Sequence, residues 1–270
     1  MTTLTTSSLP TGFMAPQLSL VLPCYNEEDV LRNTVERLVA SFRQHNVDLE
    51  LVLVDNGSTD RTAGVIDQLA LEGLPVTKVT VAVNQGYGYG VLRGLARCRG
   101  RFVGFVCADG QVEATDVVKV YEIAAHARSP KLVKVRRRFR MDGFVRKVVS
   151  VCYNLFAATI FGGLGSIDLN GNPKILPREY VERMLLQSHD WFLDAEVLIK
   201  AKRLGLEVFE LNVIAQAREG GRSNVRANTC WEFLRNLARY RFGGAVLSAP
   251  AVHAEPATAG RHPGGSAEDV

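Results

Sequence analysis

Apolar and polar positions along the first half of the chain alternate between two periods. LSLVLP (18–23) is a short apolar run closed by proline, and EEDVLRNTVERLVASF follows with Val30, Leu31, Val35, Leu38 and Val39 at helical spacing. The acids Glu27, Glu28 and Asp29 fall where the first turn of that helix is expected. ELVLVD (50–55) reads as a second strand, NGSTDRT as a turn and helix entry, and a helix runs on through Leu71. VTKVTVAV (76–83) is a third strand, with a helix around Val91 to Cys98 after NQGYGYG, and RFVGFVCAD (101–109) is a fourth. Strands alternating with helices predict an α/β fold with a mostly parallel sheet between helices.

The second half is less regular. Helices are expected near 112–127, 143–161 and 191–204, a strand at 206–214, and a last amphipathic helix near 228–241. The organisation expected is one globular domain over 18–225. A lead (1–17) and a tail (248–270) lacking the pattern of a packed core flank it, with a C-terminal amphipathic segment over 226–247.

Three of the four strands end in polar clusters: Tyr25-Asn26-Glu27, Asp55-Asn56-Gly57-Ser58 and Asp109-Gly110-Gln111. Ligand crevices of open α/β sheets lie outside the carboxyl ends of the strands, so these clusters should converge. Asp55 and Asn56 offer an acceptor and a donor suited to a base edge. Asp109 and Gln111 offer the hard oxygen ligands that Mg2+ or Mn2+ prefers, and Arg218 and Arg222 could close over phosphates. Each feature has a plainer reading, since Asp-Asn-Gly-Ser after a strand commonly forms a turn and an arginine run a solvated face.

Charge and cysteines narrow the picture. A net charge of +4, from 32 basic and 28 acidic residues, is too balanced to point to nucleic acid. Between positions 131 and 147, however, eight basic residues face one acid, Asp142, and that stretch suits anions. Five cysteines without C-x-x-C spacing indicate neither a disulfide framework nor a zinc site, and a reducing, cytoplasmic setting fits. The N-terminus lacks the basic and apolar regions of a secretory signal. Residues 148–167 carry no charge, but Ser150, Asn154, Thr159 and three glycines interrupt them, which favours a buried or interfacial helix over a spanning one. The last helix places Trp231, Phe233 and Leu234 among arginines, which suits packing on the domain or peripheral contact with an anionic membrane.

Taken in order, LPCYNEE, LVLVDNGSTDRT, NQGYGYGVLRGLARCRGRFVGFVCADGQ and REGGRS resemble family 2 glycosyltransferases over residues 18–224, in the branch of the dolichol-phosphate mannose synthases. The resemblance implies a single GT-A domain, with a Rossmann-like nucleotide half followed by an acceptor half. It implies inverting transfer from a UDP- or GDP-sugar to a polyprenyl phosphate or a small molecule. It places Pro23, Tyr25, Glu27, Val54, Asp55, Asn56, Gly86 and Ala108 around the donor, Arg137 (or Arg136), Arg218 and Arg222 at its phosphates, and Asp109 with Gln111 at a divalent Mg2+ or Mn2+ ion.

Three departures stand out. Asn56 replaces the usual second aspartate of its motif, Cys107 the first acid of the metal motif, and Arg222-Ser223-Asn224 stands where Ser-Lys is usual. Residues 168–174 resemble the acceptor-side signature. Asp194 is the first candidate for a general base, with Glu196 and Asp168 behind it. Two other readings remain: a sugar-nucleotide binder without transfer activity, suggested by Cys107 and Asn56, and an NAD-dependent oxidoreductase, suggested by Gly86-Tyr87-Gly88-Tyr89-Gly90. The glycine spacing fails for the latter, because position 91 is valine, and the unit is third in order rather than first.

Overall fold

A computed structural model describes residues 15–138 and 163–214. Seven strands form one sheet: β1 (Leu18–Cys24), β2 (Leu49–Asn56), β3 (Val76–Val81), β4 (Phe102–Phe105), β5 (Lys131–Arg138), β6 (Lys174–Pro177) and β7 (Glu207–Ile214). Their order is β3-β2-β1-β4-β6-β5-β7. All neighbours run parallel except at β6, which is antiparallel to both β4 and β5.

Strand alternation divides the core between two faces. Leu18, Leu20 and Leu22 of β1, with Leu51 and Leu53 of β2, point to one side, while Val21, Val52 and Val54 point to the other. Helices α1 (Leu31–Gln44), α2 (Thr62–Leu71) and α4 (Ala114–Ala125) cover the first face. The second is covered by α3 (Tyr87–Leu95), α5 (Arg178–Met184) and α6 (Leu193–Arg203). On α1, Leu31, Val35, Leu38, Val39 and Phe42 recur at intervals of three and four and are all buried, so the periodicity read from sequence is the packing stripe itself.

Two expectations are corrected. The acids 27–29 lie ahead of α1, which starts at Leu31 without an acid in its first turn. They are held outside because Glu27 and Glu28 are tied to the turn after β2: Thr62 Oγ1 accepts from the Glu27 N–H (2.9 Å) and Asp60 from that of Glu28 (3.2 Å). Helix α3 begins at Tyr87, four residues earlier than expected. Its glycines allow this, because a Cβ at Gly88 would overlap the carbonyl oxygens of Ser188 and Asp190 (2.6 Å to the latter), and one at Gly90 would press on the Asn56 side chain at 3.0 Å.

Strands β5 and β6 and helix α5 were not anticipated. In β5 the alternation is broken by a buried lysine, Lys134, and β6 is only four residues long. The expected helices at 143–161 and 228–241, and the segments 1–14 and 226–270, lie outside the described residues. No described helix is long and apolar enough to cross a membrane.

Candidate functional site

From β1 the parallel strands proceed one way to β2 and β3, and β4 lies on the other side. The order therefore reverses between β1 and β4, and the crevice at that switch is the natural ligand site. All three polar clusters border it: Tyr25 to Glu27 after β1, Asp55 and Asn56 at the end of β2, and Asp109 to Gln111 just after β4.

The first two clusters are stitched together. Asn26, at φ 56°, accepts the Thr59 N–H with its side-chain oxygen (2.8 Å), and the Ser58 Oγ accepts from the Asn26 N–H (3.3 Å). Asp55 is buried and its Oδ1 accepts the Ser58 N–H (3.0 Å). Pro23 pairs with Val54 across β1–β2, which sets both beside Asp55. Asn56 turns towards α3: its Nδ2 donates to the Gly86 carbonyl at 3.0 Å, a bond an ionised aspartate could not make. Its Oδ1 is buried with no hydrogen-bond partner among the described residues. The glycine-rich turn thus lies beside β3, an edge strand, and serves close approach of α3 to residues 188–190. That accounts for its glycines without a dinucleotide.

At the end of β4, Ala108 and Asp109 are buried, and Thr34 Oγ1 donates to the Ala108 carbonyl (3.1 Å), tying this loop to α1. Asp109 Oδ1 accepts the Gln111 N–H at 3.2 Å, and Gly110 takes φ 66° to make the turn. Burial pushes the Cys107 thiol up to about 12, with the Asp109 and Asp194 charges adding to the effect. Cys107 is therefore a neutral thiol where a carboxylate is usual. Among the described residues no group of three or more His, Cys, Asp or Glu side chains could enclose a metal.

Opposite Cys107 lies a layer of paired charges on β5, β6, α6 and the loop before β6. Lys174 and Asp194 are both fully buried and ion-paired, and Lys174 also donates to Gly171 O and Asn172 Oδ1, each at 3.1 Å. The second Asp194 oxygen, Oδ2, is buried with no hydrogen-bond partner among the described residues. Arg137 grips Asp168 with two nitrogens, Nε to Oδ2 at 2.9 Å and Nη2 to Oδ1 at 3.0 Å, and Nη2 also reaches Asn170 O at 2.9 Å. Burial would raise the Asp168 carboxyl, but the Arg137 guanidinium outweighs it and holds the group well below the usual carboxylate range. Lys174 is in register with Phe105 at the end of β4 and stands 5.5 Å from its ring centroid, which sets this layer beside the strand end that leads into Cys107 and Asp109.

The sequence ranks Asp194 ahead of Glu196 and Asp168, and the structure gives each of the three a different setting. Glu196 is fully buried and accepts from the N–H groups of Gln187 (3.1 Å) and Ser188 (2.8 Å) while paired to Lys200 (2.6 Å), so its carboxylate anchors the turn before α6. Asp168 is spent on Arg137. Asp194 alone of the three keeps a carboxylate oxygen with no hydrogen-bond partner among the described residues. Neither Asp194 nor Glu196 is a surface charge. Tyr87 was not singled out: its ring stacks on Trp191 (4.3 Å, 9°) and its hydroxyl accepts from Asn172 Nδ2 (3.1 Å), joining the two halves of the site. Arg218 and Arg222 lie outside the described residues.

Comparison with known proteins agrees with this geometry. Residues 19–163 match the family described as Glycosyl transferase family 2. A Trichomonas vaginalis protein named dolichyl-phosphate beta-glucosyltransferase is 28% identical over 233 residues, covering 80% of this chain and 71% of that protein. An undecaprenyl-phosphate 4-deoxy-4-formamido-L-arabinose transferase of Proteus mirabilis is 28% identical over 77% of this chain, which spans only 62% of it. A dodecaprenyl-phosphate galacturonate synthase of Rhizobium johnstonii is 29% identical, covering 84% of this chain and 67% of that protein. Among solved structures, glucosyl-3-phosphoglycerate synthase from Mycobacterium tuberculosis, in complex with Mn2+ and UDP-glucose, superposes with a TM-score of 0.65 at 22% identity, covering 84% of this chain and 79% of that one. That likeness concerns the fold. The match over residues 19–163, more than half of the 270, joined to the Asp55 and Asp109 clusters at the switch point, shows that the chain belongs to glycosyl transferase family 2.

Proposed function

We propose that this chain transfers a sugar from a nucleoside-diphosphate donor to a polyprenyl phosphate, with inversion at the anomeric carbon. The observation that carries the reading is the meeting of Asp55 and Asp109 at one switch-point crevice, beside the Arg137–Asp168 and Lys174–Asp194 pairs. The relatives whose names specify polyprenyl-phosphate acceptors support the acceptor class.

Asp55, on the floor beside Val54 and Pro23, meets the base, with Tyr25 and Glu27 bordering the nucleotide. Asn56 holds α3 in place rather than reading the base. Arg137, oriented by Asp168, faces the diphosphate; Arg218 and Arg222 are assigned to the same charge from the family pattern. Asp109, with Gln111 beside it, fits a divalent ion of the Mg2+ or Mn2+ kind, because such ions accept one or two protein carboxylates and complete their shell with phosphate oxygens and water. When bound, the metal neutralises charge on the departing diphosphate.

In the transfer step an acceptor oxygen forms the new bond to the anomeric carbon while the bond to the diphosphate oxygen breaks, and the nucleoside diphosphate leaves with that electron pair. A phosphate acceptor reacts as its anion and releases no proton. With a hydroxyl acceptor, Asp194 Oδ2 is the site that takes the proton. The solved structure with Mn2+ and UDP-glucose favours a uridine donor.

Incubation with UDP-glucose, Mn2+ and farnesyl phosphate tests the reading. Release of UDP that requires both the phosphate and Asp109, with inverted configuration in the product by NMR, is the expected result. Donor binding without turnover across UDP- and GDP-sugars would leave a sugar-nucleotide binder in its place.

A further inference from the structure

Beside the Arg137–Asp168 clamp lies another ion pair, between the fully buried Lys134 and the part-buried Glu210. Lys134 of β5 is fully buried and sits in register with Glu210 of β7 on one side and with Lys174 of β6 on the other. Two lysines facing each other in a sheet repel unless each has its own anion. Lys174 has Asp194, and Lys134 has Glu210 at 3.0 Å. Burial lowers Lys134 to about 8, with Lys174 adding to the effect, while Asp168 and Glu210 oppose it.

Apart from the bond between them and one to the Val135 carbonyl, the bonds of this pair run to the loop at Ser166–Asp168. Glu210 accepts from Ser166 Oγ (2.5 Å) and from the Ile167 N–H (3.2 Å), and Lys134 donates to Ser166 Oγ (3.2 Å), Val135 O (3.0 Å) and the Asp168 carbonyl. Asp168, so fixed through its backbone, takes Arg137 through both carboxylate oxygens and also accepts the Arg137 N–H (3.2 Å). Gly171 closes the loop over the pair, since a Cβ there would stand 3.0 Å from Lys134 Nζ and 3.1 Å from Asp168 Oδ2. The Arg137 Nη1 takes no part in the Asp168 clamp, so the clamp aims the guanidinium without using all of it.

We infer that Glu210 and Lys134 are positioning residues for donor binding, acting through Ser166–Asp168 to hold the Arg137 guanidinium in line with the diphosphate. The inference rests on the proposed function, and the test separates the two. Dissociation constants of UDP with Mn2+ are measured by calorimetry for the unchanged chain, Glu210→Gln, Arg137→Ala and the variant carrying both. Glu210→Gln is expected to weaken binding by about tenfold, and to add less than about twofold on the Arg137→Ala background, because two residues acting through one contact are not additive. The proton–nitrogen NMR signal of Arg137 Nε, sharp in the unchanged chain, should broaden in Glu210→Gln.

Glu210→Gln removes the carboxylate paired with buried Lys134, so Lys134→Met combined with Glu210→Gln provides a second variant in which that lysine charge is removed as well. It should melt close to the unchanged chain and still bind UDP about tenfold more weakly. Additive losses, or unaltered binding in both Glu210 variants, would overturn the inference while leaving the function standing. Absence of UDP binding by the unchanged chain would instead count against the function.

Discussion

At the scale of single residues, the site is governed by which buried charges have partners. Lys174→Met leaves the Asp194 carboxylate uncompensated and should destabilise the fold by about 3–5 kcal/mol, whereas Lys174→Met together with Asp194→Asn should recover much of that loss. Chemical denaturation of the two variants measures the difference. The Asp168 carboxyl, held below its usual range by Arg137, makes a signed pH prediction. Because the folded value lies below the unfolded one, the clamp's contribution is fully present above the unfolded carboxylate value of about 4 and is lost only as pH falls through the lower folded value. Denaturation curves of the unchanged chain and Asp168→Asn should therefore differ by a constant amount from neutral pH down to about pH 5 and converge only in stronger acid.

Residues of this kind were only partly legible in sequence. Asp109 and Asp55 could be found because each follows an apolar run that ends at the crevice. Lys134 and Glu210 could not, since a lysine in KLVKVRRR and a glutamate in EVFELNVI read as ordinary solvated positions. Their pairing depends on β5 and β7 being neighbours, which no local pattern encodes.

Among elements, α3 shows how a sequence signal can be correct in kind and shifted in place. The sequence places NQGYGYG ahead of a helix around Val91 to Cys98, although glycines at 86, 88 and 90 are weak helix formers. The structure starts α3 at Tyr87 because only glycine lets it lie against the backbone of residues 188–190. Gly88→Ala should therefore destabilise by about 1–3 kcal/mol through overpacking. Gly64→Ala, in α2 with nothing within 4 Å of the added Cβ, should stabilise by about 0.5–1 kcal/mol. Thermal melts of the two variants should move in opposite directions; a rise of similar size in both would show that helix propensity, not the close approach, sets the effect. Strand β6 was missed for a different reason. Four residues after a polar loop carry too little pattern, and their strand character comes from β4 and β5 on either side.

For the molecule as a whole, the sequence pattern predicted the parallel β1, β2 and β4 core and the convergence of three polar clusters, because a βα repeat leaves few ways to arrange the chain. The loop at 166–174, proposed to face the acceptor, was less legible: it is defined by buried pairs drawn from β5, β6, β7 and α6, which are far apart in sequence. The central claim is that the crevice between β1 and β4 binds a nucleoside diphosphate through Asp109 and a divalent ion. Calorimetric titration with UDP and with GDP, each with and without Mn2+, tests it most directly when repeated on Asp109→Ala. The account predicts binding of one nucleotide that strengthens with Mn2+ in the unchanged chain and loses its Mn2+ dependence in Asp109→Ala. Binding indifferent to both the metal and Asp109, or no binding of either nucleotide, would contradict it.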